Sequence, residues 1–489
     1  MAFDRKKILA KKEAFSGNNF SKFKPRCWIN IGALMDIPTA NFVTGMKGET
    51  IINGGLGPST LIGGKANNYK SLILNYMMLS AANKIKESGL FTKIQTFDTE
   101  MNTEITRLNA FANRFKYLDR NPVTDTGEWI VTPNDENNHS EDWYRDVKKF
   151  LLDKAKEKDL TFPVECFQDP YTKKELEIVL PTFLSVDSFS RFEGSSSKKL
   201  LDGDLESKDT NTYFMKAGLF KSKFTAEMPG LSATTNTYFL TTIHLGKKIE
   251  MNQNPMTPPE EKILQYLKSN QFFKGAGGGL DFLINTAWAA QGARTFNNQN
   301  TKGPEFPRDE NDKSETDFNI VKLTILRCKN GASGTSIELL LSQTEGLLPT
   351  LSEFYYCKSR GGYGIDGNDR NYFMVLYPEV NLSRTTVRKK IDTDPLLRRA
   401  INITAEMKQL ELYHPIYLRD NDLLCTPQEL YNDLKNMGYD WKELLNTRGY
   451  WLIDQYSNEV PFLSTIDLLK MRKGLYKPYW MKGETKNGK

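Results

Sequence analysis

The stretch GPSTLIGGKANNYKS, residues 57–71, limits what this chain can fold into more than any other feature. It has the glycines, lysine and terminal serine of a loop that cradles a phosphate, yet Tyr69 stands just before the lysine, where such loops carry their second glycine. Two readings are open: a chance run of small residues, or a variant nucleotide site. Context bears on the choice. Upstream, ETIINGGLGPSTLIGG offers short β-type apolar runs broken by glycines; downstream, KSLILNYMMLSAANKIKESG has apolar residues at helical spacing and stops at Gly89. Strand, glycine loop, helix is the layout a phosphate loop needs. In that layout the backbone of Gly64, Lys65, Ala66, Asn67, Asn68 and Tyr69 turns its N–H groups toward a β-phosphate. Lys70 then reaches the phosphate charge and the Ser71 hydroxyl binds Mg²⁺. ATP and Mg²⁺ are therefore the expected cofactors.

Later segments supply the acids such a site uses. FTKIQTFDTEMNTEITRLNAFANRF is a β-rich run ending at Asp98-Thr99-Glu100, followed by an amphipathic helix with Ile105, Leu108 and Phe111 on one face. A carboxylate at a strand end opposite a phosphate loop can polarise the water that attacks a γ-phosphate, which makes Glu100 the candidate base; the other reading is a helix cap. EIVLPTFLSVDSFSRF has the composition of a buried central strand ending at Asp187, an acid suited to Mg²⁺ and its water. NTYFLTTIHLG is another β-branched and aromatic strand, ending at His244, one of three histidines in the chain. A packed or surface histidine is the plainer reading of that residue. In LTILRCKNGASGTSIEL, Arg327 and Lys329 alternate at a strand end, so both lie on the same side of it, either as a solvated basic end or as a paired contact.

Charge placement adds a partner. Of the net +6, all is carried by residues 1–26, which hold eight basic side chains against Asp4 and Glu13. Residues 470–489, KMRKGLYKPYWMKGETKNGK, have seven basic side chains against Glu484, with Tyr476, Tyr479 and Trp480 interleaved. Basic residues neutralise phosphates and aromatic faces stack on unpaired bases, so both ends read as nucleic-acid contacts or, equally, as solvated tails. The longest apolar runs fall far short of the roughly 20 residues of a membrane helix, and the N-terminus lacks the apolar core of a secretion signal. Five cysteines without CxxC spacing indicate neither a disulfide framework nor a zinc site, and a reducing cytosolic setting is expected.

The order of these segments resembles a RecA-type recombinase, most closely the UvsX-like branch of large tailed phages. INIGALMDI at residues 29–37 and GMKGETIINGG are similar to the segment before the phosphate loop in that family, and its UvsX-like branch also has an aromatic residue before the loop lysine. FDTE resembles the segment bearing the catalytic glutamate, and FLSVDS the Walker B strand. His244 matches the polar residue that senses the γ-phosphate. The resemblance covers about residues 28–345. It implies an α/β fold: a RecA-like P-loop ATPase core with a mainly parallel twisted sheet flanked by helices. It implies ATP hydrolysis with Lys70, Glu100 and His244 catalytic, and Arg327 and Lys329 reaching the γ-phosphate of a neighbouring subunit. One DNA loop is implied at about residues 192–212, where Lys198 and Lys199 are placed to meet phosphates. A second is implied at about 246–276, holding Lys247, Lys248 and Lys274. The implied partners are single- and double-stranded DNA, further copies of the chain in a helical filament or ring, and a phage loader or single-strand-binding protein. The implied location is the host cytoplasm, with no membrane association.

The organisation expected is a basic oligomerisation arm (1–27), the ATPase core (28–345) and a mostly helical C-terminal domain with a basic aromatic tail (346–489). Within the core, about 118–160 reads as a polar surface insertion, a hairpin. DPLLRRAINITAEMKQLEL and TPQELYNDLKNMGYDWKELL read as helices with Asp and Thr-Pro start signals. The basic C-terminus departs from the acidic tails common in the family. A hexameric replicative helicase of the DnaB type is the alternative, because FDTEMNTEITRLNAF and RCKNGASGTSIEL also resemble its motifs. Layout separates the two: such helicases place a helical domain before the core, whereas here the core is expected from near residue 28.

Overall fold

The computed structural model describes residues 24–193, 210–247, 264–267, 271–276, 279–309, 311–368 and 370–481. The strand–loop–helix layout is built as read: a strand, β3, runs over Ser59–Gly64, and the helix Lys70–Glu87 follows the loop, ending before Gly89 at φ +75°. Before it, β1 (Asn41–Thr44) and β2 (Thr50–Asn53) form an antiparallel hairpin. After it come β4 (Lys93–Asp98), β5 (Trp129–Pro133), the hairpin β6 (Thr161–Gln168) and β7 (Glu175–Val179), β8 (Thr182–Asp187), β9 (Thr237–Lys247) and β10 (Gln271–Lys274). The last strands of this half are β11 (Thr286–Thr295), β12 (Phe318–Cys328), β13 (Ser336–Ser342) and β14 (Gly346–Leu347).

Among the described residues, ten strands form one sheet in the order β14-β13-β12-β11-β3-β9-β8-β4-β5, with β10 paired to β9. From β11 to β5 every neighbour is parallel; β12, β13, β14 and β10 pair antiparallel. Parallel strands need cover on both faces, which is why β3, β8 and most of β9 are buried along their length. The alternation of a strand divides them between two cores: Leu61, Leu184 and Phe239 face one, and Ile62, Phe183 and Leu240 the other. The second core is closed by the helix Lys70–Glu87, the first by the helices Ser140–Lys154 and Thr210–Thr235. No helix among the described residues is long and apolar enough to cross a membrane.

The expected surface insertion at 118–160 is corrected by this arrangement. WIVTP forms β5, which extends the sheet by pairing parallel to β4, with Ile94 opposite Trp129. Trp129 is fully buried and its Nε1–H donates to Thr96 Oγ1 at 2.8 Å; Trp143 of the next helix stacks on Phe97 with ring centroids 4.9 Å apart. The polar run between them is the turn into that helix, where Asp135 accepts from the backbone of Asn137 and Asn138. Two aromatics, one on each side of a polar turn, are the signal that this is a strand and a covering helix. Trp129→Ala is expected to lower stability by about 3–5 kcal/mol, because it opens a large cavity and removes a buried hydrogen bond to Thr96, whose hydroxyl keeps only its bond with Ser185. A urea unfolding curve measures this, and a loss below about 1 kcal/mol, the size usual for surface changes, would restore the surface insertion.

Beyond β14 the chain is mostly helical, with a small sheet of β15 (Ile365–Gly367), β16 (Tyr372–Met374) and β17 (Tyr377–Leu382). Helix starts fall where the sequence placed them: Asp394 caps Pro395–Tyr413, and Thr426 with Glu429 makes a capping box on Pro427–Asn436. The second segment breaks at Gly438, φ +88°, into a further helix, Trp441–Leu445. Residue 346 is not a clean boundary. Ile37, Ala40 and Ile52 share a core with Ala400, Leu430 and Leu468, the Asp467 carboxylate accepts from Thr50 N, and Gln409 Nε2 donates to Leu34 O. The N-terminal hairpin is thus seated in the C-terminal helices. Of the basic arm, residues 1–23 lie outside the described residues, as do 482–489 of the basic tail.

Candidate functional site

The carboxyl edge of the parallel strands gathers the residues that the sequence singled out. Register puts Gly64 of β3 beside His244 of β9, and Asp187 of β8 beside Asp98 of β4. Open parallel sheets bind ligands at this edge.

The loop after β3 is shaped by close backbone approach. A Cβ on Gly64 would sit 2.8 Å from Ala290 O, and Asn68 Nδ2 donates to that same carbonyl at 3.0 Å. Tyr69 occupies the first flanking position of the helix at φ +57°, ψ 25°, the left-handed region that favours glycine. A tyrosine there costs about 1 kcal/mol of backbone strain, and the half-buried ring, packed against the main core, offsets it. The helix Lys70–Glu87 has no acid in its first turn, so its positive end meets no carboxylate of its own. Lys70 is buried; its Nζ donates to Lys65 O at 2.8 Å. Burial lowers the pKa of that ammonium, while Asp187 and Glu100 oppose the shift.

Asp187 carries the opposite charge. Its carboxylate accepts from Thr242 Oγ1 at 2.5 Å and from the Ser71 hydroxyl. Burial raises its pKa, which those two hydrogen bonds partly counter. A hydroxyl and a carboxylate held together are hard oxygen donors of the kind Mg²⁺ takes beside waters and phosphate oxygens. Among the described residues no group of three or more His, Cys, Asp or Glu could hold a metal by itself.

Glu100 is held by a frame that the sequence reading did not single out. The buried Asp98 carboxylate accepts the backbone N–H of Glu100, Met101, Asn102 and Thr103 at 2.9–3.1 Å, fixing the turn that carries Glu100. Thr99 Oγ1 donates to Ser188 O at 2.8 Å and accepts from Ser188 N at 2.7 Å, which ties the ends of β4 and β8 together. Glu100 Oε1 then accepts from Ser188 Oγ at 2.9 Å and lies 2.9 Å from His244 Nε2. Burial alone would raise the Glu100 pKa, but the contacts with His244 and Ser188 outweigh it and hold the carboxyl below its ordinary value.

His244 is joined to a second polar cluster. Its backbone N–H donates to Ser190 Oγ at 3.0 Å, and that hydroxyl donates to Lys274 O at 2.9 Å. Lys221, on the helix Thr210–Thr235, donates from Nζ to Ser190 O at 3.3 Å and Gly275 O at 3.0 Å. Lys221 was missed in the sequence; the signal was a lysine flanked by Leu219, Phe220 and Phe224 in the run AGLFKSKF, which also holds Lys223, and burial lowers the Lys221 pKa.

The remaining candidates fall elsewhere. Lys247 and Lys274 are exposed, at opposite ends of the ribbon that β9 and β10 form, Lys247 across from Gln271 and Lys274 across from His244, so the base of the expected 246–276 loop is an antiparallel ribbon. Lys198, Lys199 and Lys248 lie outside the described residues. Arg327 is on β12 and Lys329 just past its end, bonded through its backbone to Asn285 O at 3.0 Å. Through β11, Arg327 is level with Ala287 and hence Leu61, three residues short of Gly64. The pair therefore lies toward the amino edge of the parallel strands, about 10 Å before the loop begins. The structure does not bring it into the cluster of Lys70, Glu100, Asp187 and His244.

No family model matches this chain and no curated protein matches it.

Proposed function

We propose that this protein is a DNA-dependent ATPase with a RecA-like phosphate-loop core, which polymerises on single-stranded DNA and promotes homologous pairing and strand exchange. One observation carries the reading: Lys70, Ser71, Asp187 and Glu100 meet at the carboxyl edge of the sheet, and His244 touches Glu100. The loop backbone and Lys70 would bind the ATP phosphates. Ser71 and Asp187 would hold Mg²⁺, which supplies charge neutralisation there. Glu100 orients the attacking water. His244 lies between that carboxylate and Ser190, and Ser190 and Lys221 tie together the chain flanking residues 194–209 and 248–270. Those two stretches coincide with the DNA loops that the family resemblance implies, so a change at the γ-phosphate would reach DNA contacts through this tie. Binding is by phosphate contacts and base stacking, and sequence choice is left to pairing with the second duplex.

Negative-stain electron microscopy with single-stranded DNA and a slowly hydrolysed ATP analogue tests this. Extended helical filaments that vanish without nucleotide are expected. Discrete six-membered rings would replace the recombinase reading with that of a DnaB-type helicase, for which duplex unwinding is the next assay.

A further inference from the structure

A cavity of ≈ 270 Å³ lies between the helix Lys70–Glu87 and the region after β14. None of Lys70, Ser71, Glu100, Asp187 or His244 lines it. Its wall is apolar and aromatic, with Tyr76, Leu79, Phe111, Phe115 and Leu347. Three arginines also line it, Arg114, Arg388 and Arg398, against two carboxylates, Glu345 and Asp392.

The charges around this cavity do not balance. Glu345 alone meets three guanidinium groups: Arg388 at 2.8 Å, Arg114 at 3.3 Å and Arg308. Arg398 spends its Nη1 on the backbone carbonyls of Ile391 and Asp392, both at 3.0 Å, which adds no negative charge. Four arginines thus share Glu345 and Asp392, with Asp317 a third acid acting on Arg388, which leaves one positive charge in excess. The Arg388 side chain is 3% exposed, and its Nε–H has no partner among the described residues. An unpaired buried donor is costly, and a buried excess of positive charge more so. A concave apolar space with a few polar groups converging on it is the usual form of a small-molecule site.

We propose that this cavity binds a small amphipathic anion, an apolar body bearing one carboxylate or phosphate that meets Arg114, Arg388 and Arg398. At ~30 Å³ for each water-sized atom the space takes roughly ten heavy atoms, the size of octanoate. A neutral ligand leaves the arginines as they are, and a cation adds to their excess. The site is independent of the phosphate loop and does not rest on the nucleotide reading.

Calorimetric titration of the full chain with octanoate, octyl phosphate, octylamine and inorganic phosphate tests it. Octanoate or octyl phosphate is expected to bind at least tenfold more tightly than octylamine or inorganic phosphate, and which of the two is preferred identifies the anionic group. Arg398→Met should weaken that binding about tenfold. Asn75→Trp, which fills the cavity from the helix Lys70–Glu87, should abolish it, and Lys70→Ala should leave it unchanged. Equal binding of octylamine and octanoate on the unaltered chain would overturn the proposal whether or not the variants fold. So would loss of octanoate binding in Lys70→Ala with its retention in Asn75→Trp, which would place the anion at the phosphate loop.

Discussion

Glu100→Gln is expected to lower ATP turnover by about 10²–10⁴-fold while ATP and DNA binding stay within about twofold of the unaltered protein. Glutamine has the same shape and can still accept from Ser188, but it carries no charge to orient and polarise the attacking water. The geometry favours the lower end of that range. The contacts from His244 and Ser188 hold the Glu100 carboxyl below its ordinary value, and a carboxylate with a depressed pKa is a weak proton acceptor. Orientation of the water therefore outweighs proton removal. The sign of the pH dependence follows. The working form is the carboxylate, so turnover should fall as pH drops through the lowered pKa of Glu100. His244→Ala removes a contact that favours the charged form, so it should move this acid limb to higher pH. ADP release measured from pH 4 to 8 reads both effects, and full turnover in Glu100→Gln would remove Glu100 from the mechanism.

The parts of this site legible in the sequence were those fixed by local chain geometry. Lys70 and Ser71 follow a buried strand and a glycine loop, so neighbouring residues alone place them at a helix start. Asp187 ends a run, TFLSV, too apolar to be anything but a covered strand. Tyr69 leaves two readings open in the sequence, because such loops carry glycine there; packing of its ring against the core shows what offsets the strain. Asp98 and Lys221 act through hydrogen bonds to backbone groups, and no residue pattern marks which carbonyl or N–H a distant side chain will meet. The segment around Trp129 was misread for a related reason. Its alternation and turn residues fit a hairpin, but the partner strand is β4, about 30 residues upstream, and parallel pairing at that separation leaves no local trace.

Arg327 gives the sharpest consequence of the sheet register. It lies toward the amino edge of the parallel strands, whereas Lys70 lies beyond their carboxyl edge, so within one chain the two do not share a phosphate. A guanidinium that acts on a γ-phosphate from such a position must serve the site of another subunit, and cations of this kind contribute about 10³–10⁵ in turnover. Arg327→Ala is accordingly expected to lower ATP hydrolysis by about 10³-fold without changing ATP affinity, and Lys70→Ala to abolish it. Each variant keeps what the other lacks. In a head-to-tail assembly of equal parts, about a quarter of the interfaces set an intact Lys70 against an intact Arg327, so mixing the two inactive proteins should restore up to about a quarter of normal turnover. The rescue should peak near equal proportions and disappear on dilution below the assembly concentration. No recovery at any ratio, with both variants still co-assembling by light scattering, would mean that Arg327 does not complete a neighbour's site.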